Sequence, residues 1–86
     1  MRDYSQLTTG QQRAFLAALR LFRAGLRTRQ FDPTLRVKLQ RTQVGVWELT
    51  WAPDGRATFH YGPELTPGEP HIVWRRIGSR SIFRKP

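Results

Sequence analysis

The run His71-Ile72-Val73-Trp74-Arg75-Arg76-Ile77-Gly78-Ser79-Arg80-Ser81-Ile82-Phe83 carries the side chains best suited to chemistry. It reads as an apolar strand that ends in arginines, followed by a glycine, another arginine and an aromatic ring. Arginine presents a planar fork of five N–H donors and stays charged at every ordinary pH, which suits it to phosphate oxygens. Arg75 and Arg76 alternate across a strand, so at most one shares the face of Arg56. Arg80, beyond Gly78, is released from that alternation and is the better site candidate. Arg36 and Lys38 alternate with Leu35, Val37 and Leu39, the pattern of a half-buried strand with one cationic face. A surface of this kind supports one reaction, cleavage of an RNA phosphodiester by the strand's own 2′-hydroxyl. Arginines orient the strand and neutralise the developing phosphorane. They do not move protons, and His60 and Glu48 are the candidates for that work if they point into the site.

Other chemistry finds no support. His60 and His71 stand eleven residues apart with no Asp, Glu or Cys at ligand spacing, so neither a metal nor a cofactor is expected. Cysteine is absent, and so are the Gly-x-Ser-x-Gly nucleophile turn and a phosphate-binding glycine loop. The charge points outward to a partner. Fifteen basic against six acidic residues give +9, and thirteen of the fifteen are arginine, an excess that suggests nucleic acid, a ribosome or an acidic protein. The lack of cysteine fits a reducing cytoplasm. No apolar run approaches the ~20 residues of a membrane span, and no signal-peptide pattern opens the chain.

The elements that must position these residues follow from periodicity. Eighty-six residues make one domain with a small core. Residues 1–8 are polar and are expected to fray. Thr9 reads as a helix N-cap with Gln12 as its capping-box partner. Phe15, Leu19, Phe22 and Leu26 form the apolar stripe of a helix over 10–28, with a break near Gly25. Arg13, Arg20 and Arg27 recur every seven residues on another face, read as solvated. Asp32-Pro33 marks the turn into the sheet.

Strands are expected from Leu35 to Gln40, Val44 to Trp51, Arg56 to Tyr61 and His71 to Ile77, with the sheet over 35–77 and a tail over 78–86. Pro53-Asp54-Gly55 is a hairpin signal, with Gly55 expected at positive φ. The last strand is apolar on both faces, which suggests a central place in the sheet. The fold class is α+β: one helix, or two short ones, on a four-stranded, mostly antiparallel sheet. The helix should cover the face carrying Trp47, Leu49, Phe59 and Trp74. Arg36, Lys38, Arg56 and Arg75 then collect on the other.

A helical N-terminus followed by four strands is similar to the RelE/ParE superfamily of bacterial toxin–antitoxin toxins. The segment Val46-Trp47-Glu48-Leu49-Thr50-Trp51-Ala52-Pro53-Asp54-Gly55-Arg56-Ala57-Thr58-Phe59 resembles that family's tryptophan-containing hairpin. The stretch Trp74 to Phe83 resembles its terminal strand and tail, and the YafQ-like branch is the nearest likeness. The resemblance covers residues 35–84. It implies a metal-independent endoribonuclease that cuts ribosome-bound mRNA, with Arg56 and Arg80 as catalytic residues and Arg36, Lys38 and Arg75 on the RNA. Phe83 matches a terminal aromatic that stacks a base. Asp54 falls at a turn position that is acidic in the nearest branch and joins His60 and Glu48 as an acid–base candidate. Arg80 stands where that branch has a histidine. The implied partners are a cognate antitoxin, mRNA and the ribosome, with no membrane. Two other readings share the charge pattern: a non-catalytic binding module for nucleic acid or an acidic protein, and a toxin directed at gyrase.

Overall fold

The computed structural model describes residues 2–86 and shows one long helix packed on a four-stranded antiparallel sheet, with a short helix before it. α1 spans Arg2–Ser5 and α2 spans Thr9–Ala24. A 3-10 turn over Pro33–Leu35 leads into β1 (Lys38–Leu39), β2 (Trp47–Thr50), β3 (Gly55–Gly62) and β4 (His71–Ser79), and a second 3-10 turn covers Arg80–Arg84. The strands lie in the order β1-β2-β3-β4, each antiparallel to the next. No described helix is long and apolar enough to cross a membrane.

α2 begins one residue before the sequence expectation. Thr8 is its N-cap, accepting from the Gln11 N–H, and the Gln11 side chain accepts from the Thr8 N–H in return. The helix stops at Ala24, four residues short of the expected end, because Gly25 caps it at a close approach. A Cβ at Gly25 would lie 2.6 Å from the Gln30 carbonyl oxygen. Phe15, Ala18 and Phe22 are the buried positions of α2. They meet Leu49, Trp51, Ala57, Phe59 and Ile77 in one core, with Trp47 and Trp74 packed against it. The expected helix-covered face is therefore the observed one. Phe22 is its centre, 5.0 Å from Phe59 and 5.5 Å from Trp74 between ring centroids.

The strand β1 is far shorter than the alternation of residues 35–40 suggests. Leu35 belongs instead to the 3-10 turn that Asp32 caps, and Arg36 closes that turn in the left-handed region at φ 47. A non-glycine residue there is uncommon and breaks the strand. The hairpin after β2 forms as expected, with Trp51 N–H donating to the Gly55 carbonyl and Gly55 N–H to that of Ala52. Gly55, however, is not among the residues at positive φ. It is needed because a Cβ would lie 2.5 Å from the Trp51 ring.

β4 lies at an edge, not in the centre. Its apolar residues serve two covered faces by another device. The register passes from Thr58–Arg76 to Phe59–Trp74, so Arg75 is the extra residue of a bulge. The bulge resets the alternation and lets Ile77, Trp74 and Ile72 all pack with the core, which a regular strand could not do. The strand also continues through Gly78 to Ser79, two residues past its expected end. The tail then folds back over the second face. The Pro86 carbonyl accepts from the Thr58 hydroxyl and from Arg75 Nε, and Ile82 is buried.

Residues 2–5 are not frayed. Asp3 docks α1 on the free edge of β4, accepting from Arg76 Nε at 2.7 Å and from the Ile77 N–H at 3.0 Å through one carboxylate oxygen. Burial pushes the Asp3 carboxyl up, but the hydrogen bonds from Arg76 and Ile77 and the charges of Arg76 and Arg2 outweigh it. The net effect holds the group below its ordinary 3.8. A carboxylate with a depressed folded value stabilises the fold above its unfolded value, and the contribution disappears as the pH falls. Asp3→Ala is therefore expected to lower unfolding free energy by about 2 kcal/mol near neutral pH, the scale of hydrogen bonds to a charged group. Urea unfolding checks this: the gap between parent and variant should be full at about pH 6 and shrink at about pH 3.

Candidate functional site

Eight of the nine residues singled out from the sequence fall into three places, and the ninth, Asp54, lines a separate cavity of about 260 Å³ beside Gly78 and Ser79. The first is a cleft of about 770 Å³ between α2 and the β2–β3 hairpin, whose walls include Ala17, Leu21, Arg36, Thr50, Arg56 and Arg80. Three segments far apart in sequence deliver its arginines: the 3-10 turn cap at Arg36, the start of β3 at Arg56, and the start of the tail turn at Arg80. The α2 wall is made of Ala14, Ala17, Ala18 and Leu21, so one side is apolar and the other cationic. No carboxylate lines it. Two acids border it: Asp32 accepts from the hydroxyl of the lining residue Thr34 at 2.6 Å, and Asp54 Oδ1 lies 3.8 Å from Arg80 Nε, where the Asp54 and Arg80 side chains are both well exposed. An exposed pair at that distance contributes little and leaves the guanidinium available to a ligand.

Arg56 differs from the role the sequence suggested for it. It is 8 % exposed, and its Nη1 donates to the carbonyls of Ala52, Pro53 and Gly55 at 2.9 to 3.2 Å. Those carbonyls belong to the hairpin turn, where Ala52 and Gly55 also accept the backbone bonds that close it and Pro53 accepts from Arg56 alone. The guanidinium therefore holds the turn and contributes its charge to the cleft from behind. Arg56→Ala should lower unfolding free energy by roughly 2–3 kcal/mol by removing three charge-assisted hydrogen bonds from the turn, whatever it does to function. Thermal melting of the variant would register this as a lowered midpoint. Arg36 and Arg80 are exposed and carry no such duty.

The second place is a cavity of about 630 Å³ under the tail, lined by Gln43, His60, Arg75, Arg76, Arg84 and Lys85 among others. His60 lies four residues along β3 from Arg56, about 13 Å at the rise of a strand. Its Nδ1 is buried without a hydrogen-bond partner. Arg75 spends its Nε on the Pro86 carbonyl.

The third is a cavity of about 310 Å³ against β1 and β2, lined by Lys38, Gln40, Arg41, Glu48 and Phe83 with two neighbours. Lys38 stands opposite Glu48 in the strand register, on the face away from α2. Glu48 is 9 % exposed and its Oε1 accepts from Gln40 Nε2 at 2.9 Å.

Arg36 and Arg80 thus meet in one cleft, while Lys38 and Phe83 meet in another and Arg75 in a third. The shared cationic sheet face expected from alternation is not formed, because Arg36 lies off the sheet. Neither His60 nor Glu48 lines the arginine cleft, and Asp54 sits at its margin. The sequence reading missed Gln40 and Arg41. Gln40 already lay in the expected strand from Leu35 to Gln40, on the face of Lys38, and only its place beside Glu48 went unread. Among the described residues no group of three or more His, Asp or Glu is placed to hold a metal ion. Compared with known protein families, curated proteins and solved structures, the chain matches none.

Proposed function

We propose that this chain is a RelE/ParE-like toxin of a bacterial toxin–antitoxin pair, acting in the cytoplasm on ribosome-bound mRNA. The observation that carries the reading is the convergence of Arg36, Arg56 and Arg80 on one cleft with no carboxylate in its lining. That arrangement suits a phosphodiester, whose charge grows as the bond is cut. The 2′-hydroxyl oxygen attacks the adjacent phosphorus, and the bond to the 5′ oxygen breaks. The products are a 2′,3′-cyclic phosphate and a 5′-hydroxyl end. Arg36 and Arg80 neutralise the phosphorane, and Arg56 holds the hairpin that frames it. Among the described residues no His, Asp or Glu lines the cleft, so the 2′-hydroxyl proton leaves to water or to a group brought by the ribosome, and the departing 5′ oxygen takes its proton from the same sources. An acidic antitoxin segment would neutralise the same arginines.

One observation favours a second reading. His60, Glu48 and Asp54 all lie outside the cleft lining, as they would in a module that binds RNA without cutting it. A translation reaction with a reporter mRNA separates the two. Cleaved transcript in the presence of ribosomes, lost with Arg36→Ala and Arg80→Ala combined, supports the toxin. Intact transcript with salt-sensitive binding supports the module. Intact transcript with inhibited DNA supercoiling would move the assignment to gyrase.

A further inference from the structure

The cavity against β1 and β2 has a feature that phosphate binding does not use. Glu48 is the one carboxylate in its lining and one of only six acidic residues in the chain. It is nearly buried, yet none of the ion pairs among the described residues includes it, Lys38 across the register notwithstanding. Its one hydrogen bond comes from a neutral donor, Gln40. A carboxylate offers about four acceptor positions, and the chain fills one of them, from Gln40. The others are open to N–H donors that a ligand entering the cavity would bring. Phe83 supplies an aromatic wall beside it, and Lys38 and Arg41 supply cations at the rim.

We infer that this cavity is a nucleobase pocket selective for guanine, resting on the RNA reading above. Single-stranded RNA is read by stacking bases on aromatic rings and bonding their Watson–Crick edges. Guanine is the RNA base whose edge sets two donors side by side, N1–H and the 2-amino group, matching a carboxylate. Adenine and cytosine set one amino group beside an acceptor nitrogen, which the carboxylate repels. Uracil places its single N–H between two carbonyls. Glu48 then reads a base and does not move protons. Gln40 fixes its orientation, Phe83 stacks the purine, and Lys38 and Arg41 take the flanking phosphates.

The test uses the intact chain and four pentanucleotides: UUUUU, UUAUU, UUGUU, and UUGUU with inosine for guanosine. Affinities come from titration calorimetry, and the contact from resonances of Phe83 and Glu48. UUGUU should bind about tenfold or more tighter than UUAUU, the discrimination of one bidentate pair. The inosine strand, lacking the 2-amino group, should fall between. Glu48→Gln keeps the contact with Gln40 and should erase the preference. Phe83→Ala should weaken all four strands roughly tenfold and keep their order. Equal binding of UUGUU and UUAUU, or a preference that survives Glu48→Gln, overturns the pocket. If UUUUU still binds in that case, the RNA reading stands alone. If no strand binds, both fall.

Discussion

Arg36→Ala combined with Arg80→Ala is expected to lower affinity for single-stranded RNA roughly 10- to 100-fold at about 0.1 M salt, with little change in thermal stability. Each removed guanidinium costs a charge-assisted contact with a phosphate, of order 1 kcal/mol after solvent exposure is allowed for. Both side chains are exposed, and the weak Arg80–Asp54 pair is the only ion pair lost. The salt dependence offers a second and more diagnostic readout. A single strand contributes about 0.7 to the log–log slope for each neutralised phosphate, so the slope should fall by about 1.4. An unchanged slope would take these arginines off the phosphate backbone. In the ribosome-coupled assay the same variant should lose cleavage. Arg56 is the wrong residue for this test, because its removal unties the hairpin turn.

The second large effect is structural. Phe22→Ala should lower unfolding free energy by roughly 3–5 kcal/mol, as for other buried phenylalanines. The ring is 1 % exposed, stacks on Phe31 at 5.0 Å, and meets Phe59 and Trp74 edge-on or tilted. Truncation leaves a hole bordered by three rings, two of which, Phe59 and Trp74, are held by the sheet, so little collapse can fill it. A domain of this size holds about 5–10 kcal/mol in all. The melting midpoint should drop by about 20 °C or more. The mirror substitution Leu21→Ala, at an exposed position on the same helix, should move it little. A small shift for Phe22→Ala would mean that α2 does not pack on the sheet through this ring.

The alternation of apolar residues made α2, β2, β3 and the helix-covered face legible, because those patterns answer to one buried surface. Three features were not legible, each for a local reason. The Arg75 bulge shifts alternation by one, and nothing in the composition of His71–Ile77 announces an extra residue. Arg36 was counted as a strand residue because Leu35 and Val37 flank it. The Asp32 cap on Thr34 wins instead, with two hydrogen bonds from Thr34 to Asp32 Oδ1. α1 is a single polar turn whose place depends on a contact 73 and 74 residues away, which no local pattern encodes. Of the candidate site, the arginine types were visible from the outset. Their partition among three cavities depended on the tail crossing the sheet, a tertiary event.

The docking of α1 on β4 also orders events in time. Every strand pairs with its sequence neighbour, so three successive hairpins can close without long loops. The Asp3–Ile77 contact instead closes a loop of 74 residues. On a free chain that closure costs roughly 4 kcal/mol of entropy, more than one carboxylate returns. It becomes favourable only once the meander has already brought both ends together. α1 is thus the last segment to join and the first to leave, a latch set by the finished sheet and without part in nucleating it.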